Sequence, residues 1–254
     1  MKRRIIFFTF VLFFSGAVLS FAQNLTKEQT IAKFVAGTEA YKKGNYEEAV
    51  KNDESIIESG WESGAAYFNL GNSYYRLGQT GKAMLNYERA RRLIPRDGDL
   101  SFNMKVARDK SNAQDPFEEK NIFEKVLSKF IQFYSQAEMT GMLSLSLFLL
   151  AAFYLLGLYW RWPQSLRRGL LLTCAVIFII FFVGLAGKIK EEKNLAVMMQ
   201  NTEATFEPKA GSTMHYALKE GMKVKVLRIE GEWCKVERLD GKLGWVPLAS
   251  LTII

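Results

Sequence analysis

Apolar positions along this chain change rhythm several times. Ile5 to Leu19 is a nearly unbroken apolar run behind Lys2, Arg3 and Arg4. From about Thr30 to Lys110, apolar and small residues recur at helical spacing among many charges. Met139–Trp160 and Gly169–Gly187 carry no charge at all. After residue 194 the pattern alternates, as in Lys223-Val224-Lys225-Val226-Leu227, Trp233-Cys234-Lys235-Val236 and Leu243-Gly244-Trp245-Val246. These rhythms predict a leader, a helical domain, two membrane helices and a small all-β domain.

The helical stretch repeats at a period of 34 residues. Ala32 falls on Ala66, Phe34 on Phe68, Gly37 on Gly71, Tyr41 on Tyr75, Gly44 on Gly78, Ala49 on Ala83, Asn52 on Asn86 and Glu54 on Glu88. That period is the mark of a helix–turn–helix solenoid. Gly37, Gly71, Ala49, Ala83 and Ala90 are expected where two helices cross and a larger side chain would separate them. Gly44 and Gly78 follow the first helix of each pair, where a left-handed terminator suits Gly. Pro95 stops the second helix of the second unit. Tyr41, Tyr75 and Tyr87 are expected to fill the seams.

With Tyr67, Leu70-Gly71, Tyr74, Gly78, Ala83, Tyr87, Ala90 and Pro95 in place, the second unit closely resembles the tetratricopeptide repeat. The first unit matches at Gly37, Tyr41, Gly44, Tyr46 and Ala49, and departs at Lys33 and Trp61. Units at 30–63 and 64–97 within a domain of 23–112 leave one apolar side open, and a helix at 98–110 is expected to cover it. The resemblance implies peptide binding on the inner surface of the first helices. Carried over by position, that surface holds Phe34, Thr38, Lys42, Phe68, Asn69, Asn72, Arg76, Asn103 and Val106. Phe34, Thr38 and Asp99 replace the polar residues of relatives that clamp a C-terminal carboxylate. Asn72 and Arg76 are the foremost candidates for ligand contact.

The basic start, short apolar run and Ser20-Phe21-Ala22 end read as an export signal over residues 1–22. The spans 139–160 and 169–187 are each about the ~20 residues that cross a bilayer core. Between them, residues 161–168 form a short loop whose three arginines point it to the cytoplasm, against Lys188, Lys190 and Lys193 beyond the second span. With the signal sending the N-terminal segment across first, two spans return the chain, and both soluble domains are expected in the periplasm of an inner-membrane protein. Gly157 and Gly184 offer places for close helix contact. In the segment 113–136, Asp115-Pro116 breaks the chain ahead of an amphipathic helix bearing Ile122, Phe123, Val126, Leu127, Phe130, Ile131 and Tyr134 on one face. That face suits either the headgroup region or the repeat domain.

Residues 194–254 read as several short strands joined by Glu230-Gly231-Glu232 and Asp240-Gly241 turns. The run from Leu218-Lys219-Glu220-Gly221 through Gly231-Glu232-Trp233 to Gly244-Trp245-Val246-Pro247 resembles a bacterial SH3-type domain, an all-β barrel. Trp233 and Trp245 are candidates for an aromatic ledge, although such tryptophans more often lie in a core.

Lys2, Arg3 and Arg4 supply three of the formal net charge of +8, so the mature chain is near +5 with its charges dispersed. That gives no footprint for nucleic acid. Cys174 and Cys234 lie on elements in different media, so no disulfide is expected, and their spacing suits no metal. His215, the single histidine, has no partner Cys, Ser or acid cluster. No nucleophile–base set, phosphate loop, metal site or cofactor is implied, and a non-enzyme is expected.

The order of parts resembles the E component of the Bat (Bacteroides aerotolerance) family. The resemblance implies an inner-membrane scaffold acting with von Willebrand-A-type membrane partners and a MoxR-type ATPase in oxygen tolerance or envelope stress. A cell-wall sensor that binds peptidoglycan through the SH3-like domain is the alternative.

Overall fold

The computed structural model describes residues 25–254 apart from 112, 114–120 and 161. The export signal at 1–22 and the Asp115-Pro116 break lie outside the described residues.

Helices α1 (Lys27–Lys42), α2 (Tyr46–Glu58), α3 (Gly64–Arg76), α4 (Thr80–Leu93) and α5 (Gly98–Ser111) each pack on the next. Local chemistry sets their ends. Thr26 and Gln29 form a capping box at the start of α1, and Ser63 accepts from the Ala66 amide at the start of α3. Gly44 and Gly78 follow α1 and α3 at φ 82° and 77°, the left-handed region that other residues enter at a cost. Ala49, Ala66, Ala83 and Ala90 are fully buried at the crossings, around Leu70, Tyr74, Met84 and Tyr87. Leu100, Met104 and Ala107 of α5 close one side of that core.

Helices α7 (Gln136–Tyr159) and α8 (Gln164–Glu192) are long and apolar enough to cross a membrane, and they pack as a hairpin. The loop is shorter than the sequence suggests. Pro163 is the N-cap of α8, so Gln164–Arg168 are helical rather than loop. The absence of charge marks the apolar middle of a helix, not its ends.

The amphipathic helix α6 (Ile122–Phe133) does not lie on the repeats by its apolar face. It packs on α8. Phe130 sits over Gly184 and Ile131 over Gly187, positions where a Cβ would collide with those side chains. The Phe130 and Tyr134 rings each lie 5.7 Å from that of Phe181. Ile122 and Val126 remain exposed. Gly184 therefore serves α6 rather than the contact between the two long helices, whereas Gly157 receives the Arg167 stem from α8.

Strands β1 (Leu195–Met198), β2 (Thr202–Thr205), β3 (Met214–Leu218), β4 (Lys223–Glu230), β5 (Trp233–Arg238), β6 (Leu243–Pro247) and β7 (Leu251–Ile253) form one antiparallel sheet in the order β3-β2-β6-β5-β4-β1-β7. Residues from both ends of that order, Leu218 and Leu251, share a core with Val224, Cys234, Val236 and Val246. The sheet is therefore curled around one interior. Gly231 (φ 57°) and Gly241 (φ 82°) make its tight turns.

Strand β1 joins the two soluble parts. Ala196 and Met198 point into the β core, whereas Val197 packs with α4 in the helical core, alongside Met199 and Ile254. This is the period-2 alternation of a strand used to bury both faces.

Candidate functional site

The inner wall of the helical domain is built by α1, α3 and α5. Asn69 Nδ2 donates to Thr38 Oγ1 at 3.5 Å and links α1 to α3. Asn103 Nδ2 donates to Asn72 Oδ1 at 2.8 Å and links α3 to α5. The Tyr87 hydroxyl also donates to Asn72 Oδ1, at 2.9 Å. Asn72 is therefore a brace within the wall, with its oxygen already accepting two hydrogen bonds. Phe34 and Phe68 are half-buried along the wall, and the Phe68 ring stands 6.2 Å from that of Tyr87. Lys42 and Arg76 are exposed, with the Arg76 guanidinium 5.0 Å from the Tyr46 ring centroid. The structure thus brings the predicted residues Phe34, Thr38, Lys42, Phe68, Asn69, Asn72, Arg76 and Asn103 onto one surface.

Opposite that wall lies a contact that the repeat pattern did not disclose. Glu88 on α4 is 1% exposed and meets three cations. Arg91 approaches Oε2 at 2.7 Å, Arg108 of α5 approaches Oε1 at 3.0 Å, and Lys223 of β4 approaches Oε1 at 3.2 Å. Burial alone would push the Glu88 carboxyl up. Arg91, Lys223 and Arg108 together outweigh it and hold the group ionised, well below the usual carboxylate range.

Glu220, in the turn before β4, accepts from the Gly81 amide at 2.6 Å. Gln79, the N-cap of α4, makes no side-chain cap, so a carboxylate from the β domain satisfies that helix terminus. A Cβ on Gly81 would come within 2.9 Å of the Met198 carbonyl oxygen, so the close approach needs Gly there. Arg92 donates to the Ile254 carbonyl at 3.0 Å and the Glu192 carbonyl at 2.9 Å. Arg96 reaches Glu138 at the start of α7 and the Phe133 carbonyl at the end of α6. The last turn of α4 and the turn after it are thus tied to the β domain and to the ends of both long helices.

The two candidate ledge residues differ in exposure. Trp245 is 6% exposed and is covered by Arg228 and Lys235, at 5.4 and 5.9 Å from the ring centroid. Trp233 is half-buried on the neighbouring strand. Both rings alternate with Cys234, Val236 and Val246 of the β core, so they lie on the other face of these strands. His215 stacks on Phe206 at 4.3 Å, and its Nδ1 lies 2.9 Å from the Leu243 carbonyl oxygen.

Residues 64–97, which are α3, α4 and the turn after them, match the model of the tetratricopeptide repeat. Residues 206–252 match that of the bacterial SH3 domain. The chain carries a tetratricopeptide repeat and a bacterial SH3 domain. The SH3 match begins after β2, so β1, the strand that docks on the repeat, precedes it in the chain. A comparison with curated proteins gave no match. Repeats of this kind support protein–protein interaction, and bacterial SH3 domains support partner or peptidoglycan binding.

The cations around Glu88 escaped the sequence because they come from three separate elements. One signal was present. Glu88 is a charged residue on the apolar side of α4, between Tyr87 and Ala90, and such a position calls for buried partners.

Proposed function

We propose that this protein is a membrane-anchored, non-catalytic scaffold whose repeat groove holds a segment of a partner protein. The observation that carries the reading is the division of labour between the faces of the repeat domain. The outer helix α4 is occupied by the SH3 domain through Glu88, Gly81 and Arg92, while the wall of α1, α3 and α5 keeps Lys42 and Arg76 exposed. The SH3 domain serves as a fixed second contact and braces the groove. Direct packing of the two domains supports their lying on one side of the membrane, since no bilayer fits between Glu88 and Lys223. Taken with the export signal and the loop arginines, that side is the periplasm.

The finer reading is the Bat-type one. A system of oxygen tolerance or envelope stress, with von Willebrand-A-type membrane proteins as partners, suits a short chain that fixes a peptide groove close to the bilayer. The covered state of Trp245 favours this scaffold over the peptidoglycan sensor.

Crosslinked co-purification from native membranes tests the reading, with the intact chain set beside a variant carrying Lys42→Glu and Arg76→Glu. Both residues are exposed, so insertion is expected to be unchanged and the melting temperature to fall only slightly, from the lost Arg76–Tyr46 contact and the reversed charge at two helix C-termini. A discrete membrane partner lost in the variant is the expected result. An unchanged partner set would remove the groove from the function and return attention to the SH3 domain.

A further inference from the structure

The groove wall continues onto α5 in the register of the repeat. Each inner helix carries one stripe at i, i+4 and i+8, which is one face of a helix. The stripes are Phe34, Thr38 and Lys42 on α1, Phe68, Asn72 and Arg76 on α3, and Phe102, Val106 and Lys110 on α5. Read across the helices, they make a row of three phenylalanines, a central row, and a row of three cations. Phe102 is 66% exposed although it belongs to a capping helix whose buried residues are Leu100, Met104 and Ala107. Packing the core therefore does not explain it. Lys42, Arg76 and Lys110 are all exposed. Among the described residues none of them forms an ion pair, and Arg76 and Lys110 instead rest on the faces of Tyr46 and Tyr75 at 5.0 and 4.8 Å.

Resting on the groove reading above, we infer that the ligand is an extended acidic segment with carboxylates at every third residue and apolar side chains turned to the phenylalanine row. The spacing follows from geometry. The Asn69–Thr38 and Asn103–Asn72 bonds join short side chains, so neighbouring inner helices stand at ordinary packing distance, about 8–10 Å. A chain in the extended polyproline II conformation advances about 3.1 Å per residue with about three residues per turn, so residues three apart span one helix-to-helix step and face the same way. A segment of the form acidic-x-x-acidic-x-x-acidic places one carboxylate on each of Lys42, Arg76 and Lys110. The Asn72 amide nitrogen and the Thr38 hydroxyl of the central row lie beneath its backbone. The cation row stands at the C-terminal ends of the helices, where the macrodipole favours positive charge, so the row is maintained at little cost to the fold.

The test uses the full-length protein in nanodiscs and fluorescein-labelled synthetic peptides of equal length and net charge. Their three acids are spaced by two, three or four residues. The three-residue spacing is expected to bind at least tenfold more tightly than either alternative, and to weaken as salt rises from about 0.05 M to about 0.5 M. Arg76→Glu is expected to abolish that preference, and a peptide with Lys in place of its middle acid to restore binding to this variant. Equal affinity for all spacings, absence of peptide binding, or tighter binding of anionic vesicles than of any peptide would overturn the inference. A photocrosslinking residue placed at Phe68 separates this failure from failure of the groove reading. If it captures a native partner through a segment without spaced acids, the groove stands and the acidic register falls. If it captures nothing, both fall.

Discussion

The two units of the repeat domain solve the same packing problem with opposite chemistry. In the second unit Gly71 lies under the ring of Tyr87, which is 1% exposed. One period earlier the pair is Gly37 and Asp53, and the Asp53 carboxyl is fully buried with no hydrogen-bond partner among the described residues. Burial pushes Asp53 up to about 7. Nearby on α4, Glu88 is equally buried yet kept ionised by three cations, whereas Glu54, its counterpart one period earlier, takes the Tyr74 hydroxyl. The second unit faces another domain and is finished by it. The first unit has no such neighbour among the described residues and carries an unsatisfied acid instead. A buried carboxylate is tolerable when cations surround it and costly when nothing does.

Glu88→Gln breaks the comparison at its strongest point. It leaves the Arg91, Arg108 and Lys223 cations without their buried carboxylate, and a loss of about 3–5 kcal/mol is expected. Chemical denaturation should show it, with earlier proteolysis between the repeat and SH3 domains. The folded-state pKa of Glu88 lies below its unfolded value, so its contribution is present above about pH 4.5. The difference between the variant and the native chain should therefore shrink as pH falls through the acid range below that. A difference that stays constant with pH would mean that the carboxylate charge is not what holds the domains.

Next in size is the paired change Gly71→Ala and Gly37→Ala. A methyl at 71 collides with the edge of the Tyr87 ring, and a loss of about 1–3 kcal/mol is expected from overpacking. A methyl at 37 meets the tip of the small Asp53 carboxyl at 3.0 Å, and the better helix propensity of Ala offsets much of that strain. Equal melting temperatures for the two variants would show that the units are packed alike.

Asp53→Asn sharpens the comparison further. A folded pKa near 7, raised above the unfolded one, means that the folded chain binds the proton between about pH 4 and pH 7. Stability of the native chain should thus fall as pH rises through that window. The amide does not titrate, so the variant should gain about 1–2 kcal/mol over the native chain at pH 8 and little at pH 4. Urea melts at the two pH values read this directly. Cys234 supplies the smallest effect. Burial pushes its thiol up, so alkylation of the native chain at pH 8 should be far slower than after unfolding.

Much of the architecture is legible in the sequence. The 34-residue period, the glycines at 44 and 78, and the Asp240-Gly241 turn are local rules, and local rules can be read from spacing. The shared face of Phe34, Thr38, Lys42, Phe68, Asn72 and Arg76 is legible for the same reason, because a stripe at i, i+4, i+8 repeated every 34 residues can face only one way. The bracing role of Asn72 is not legible, since it depends on Tyr87 and Asn103 arriving from two other helices. Nor is the seat of α6 on Gly184 and Gly187, because an amphipathic face states that it must be buried without stating against what.

The order of the described parts, the helix and strand rhythms, the two long apolar helices and the stripes of the inner helices were readable from spacing, since each rests on short-range periodicity and backbone preference. Only the tertiary structure decided that the SH3 and repeat domains form one packed unit on the two faces of β1. It also decided that Glu88 is the ionised centre of that contact and that Trp245 lies under its cations. Those outcomes depend on side chains far apart in the chain meeting in a low-dielectric interior, where energies are set by who the neighbours are and not by where they stand in the sequence.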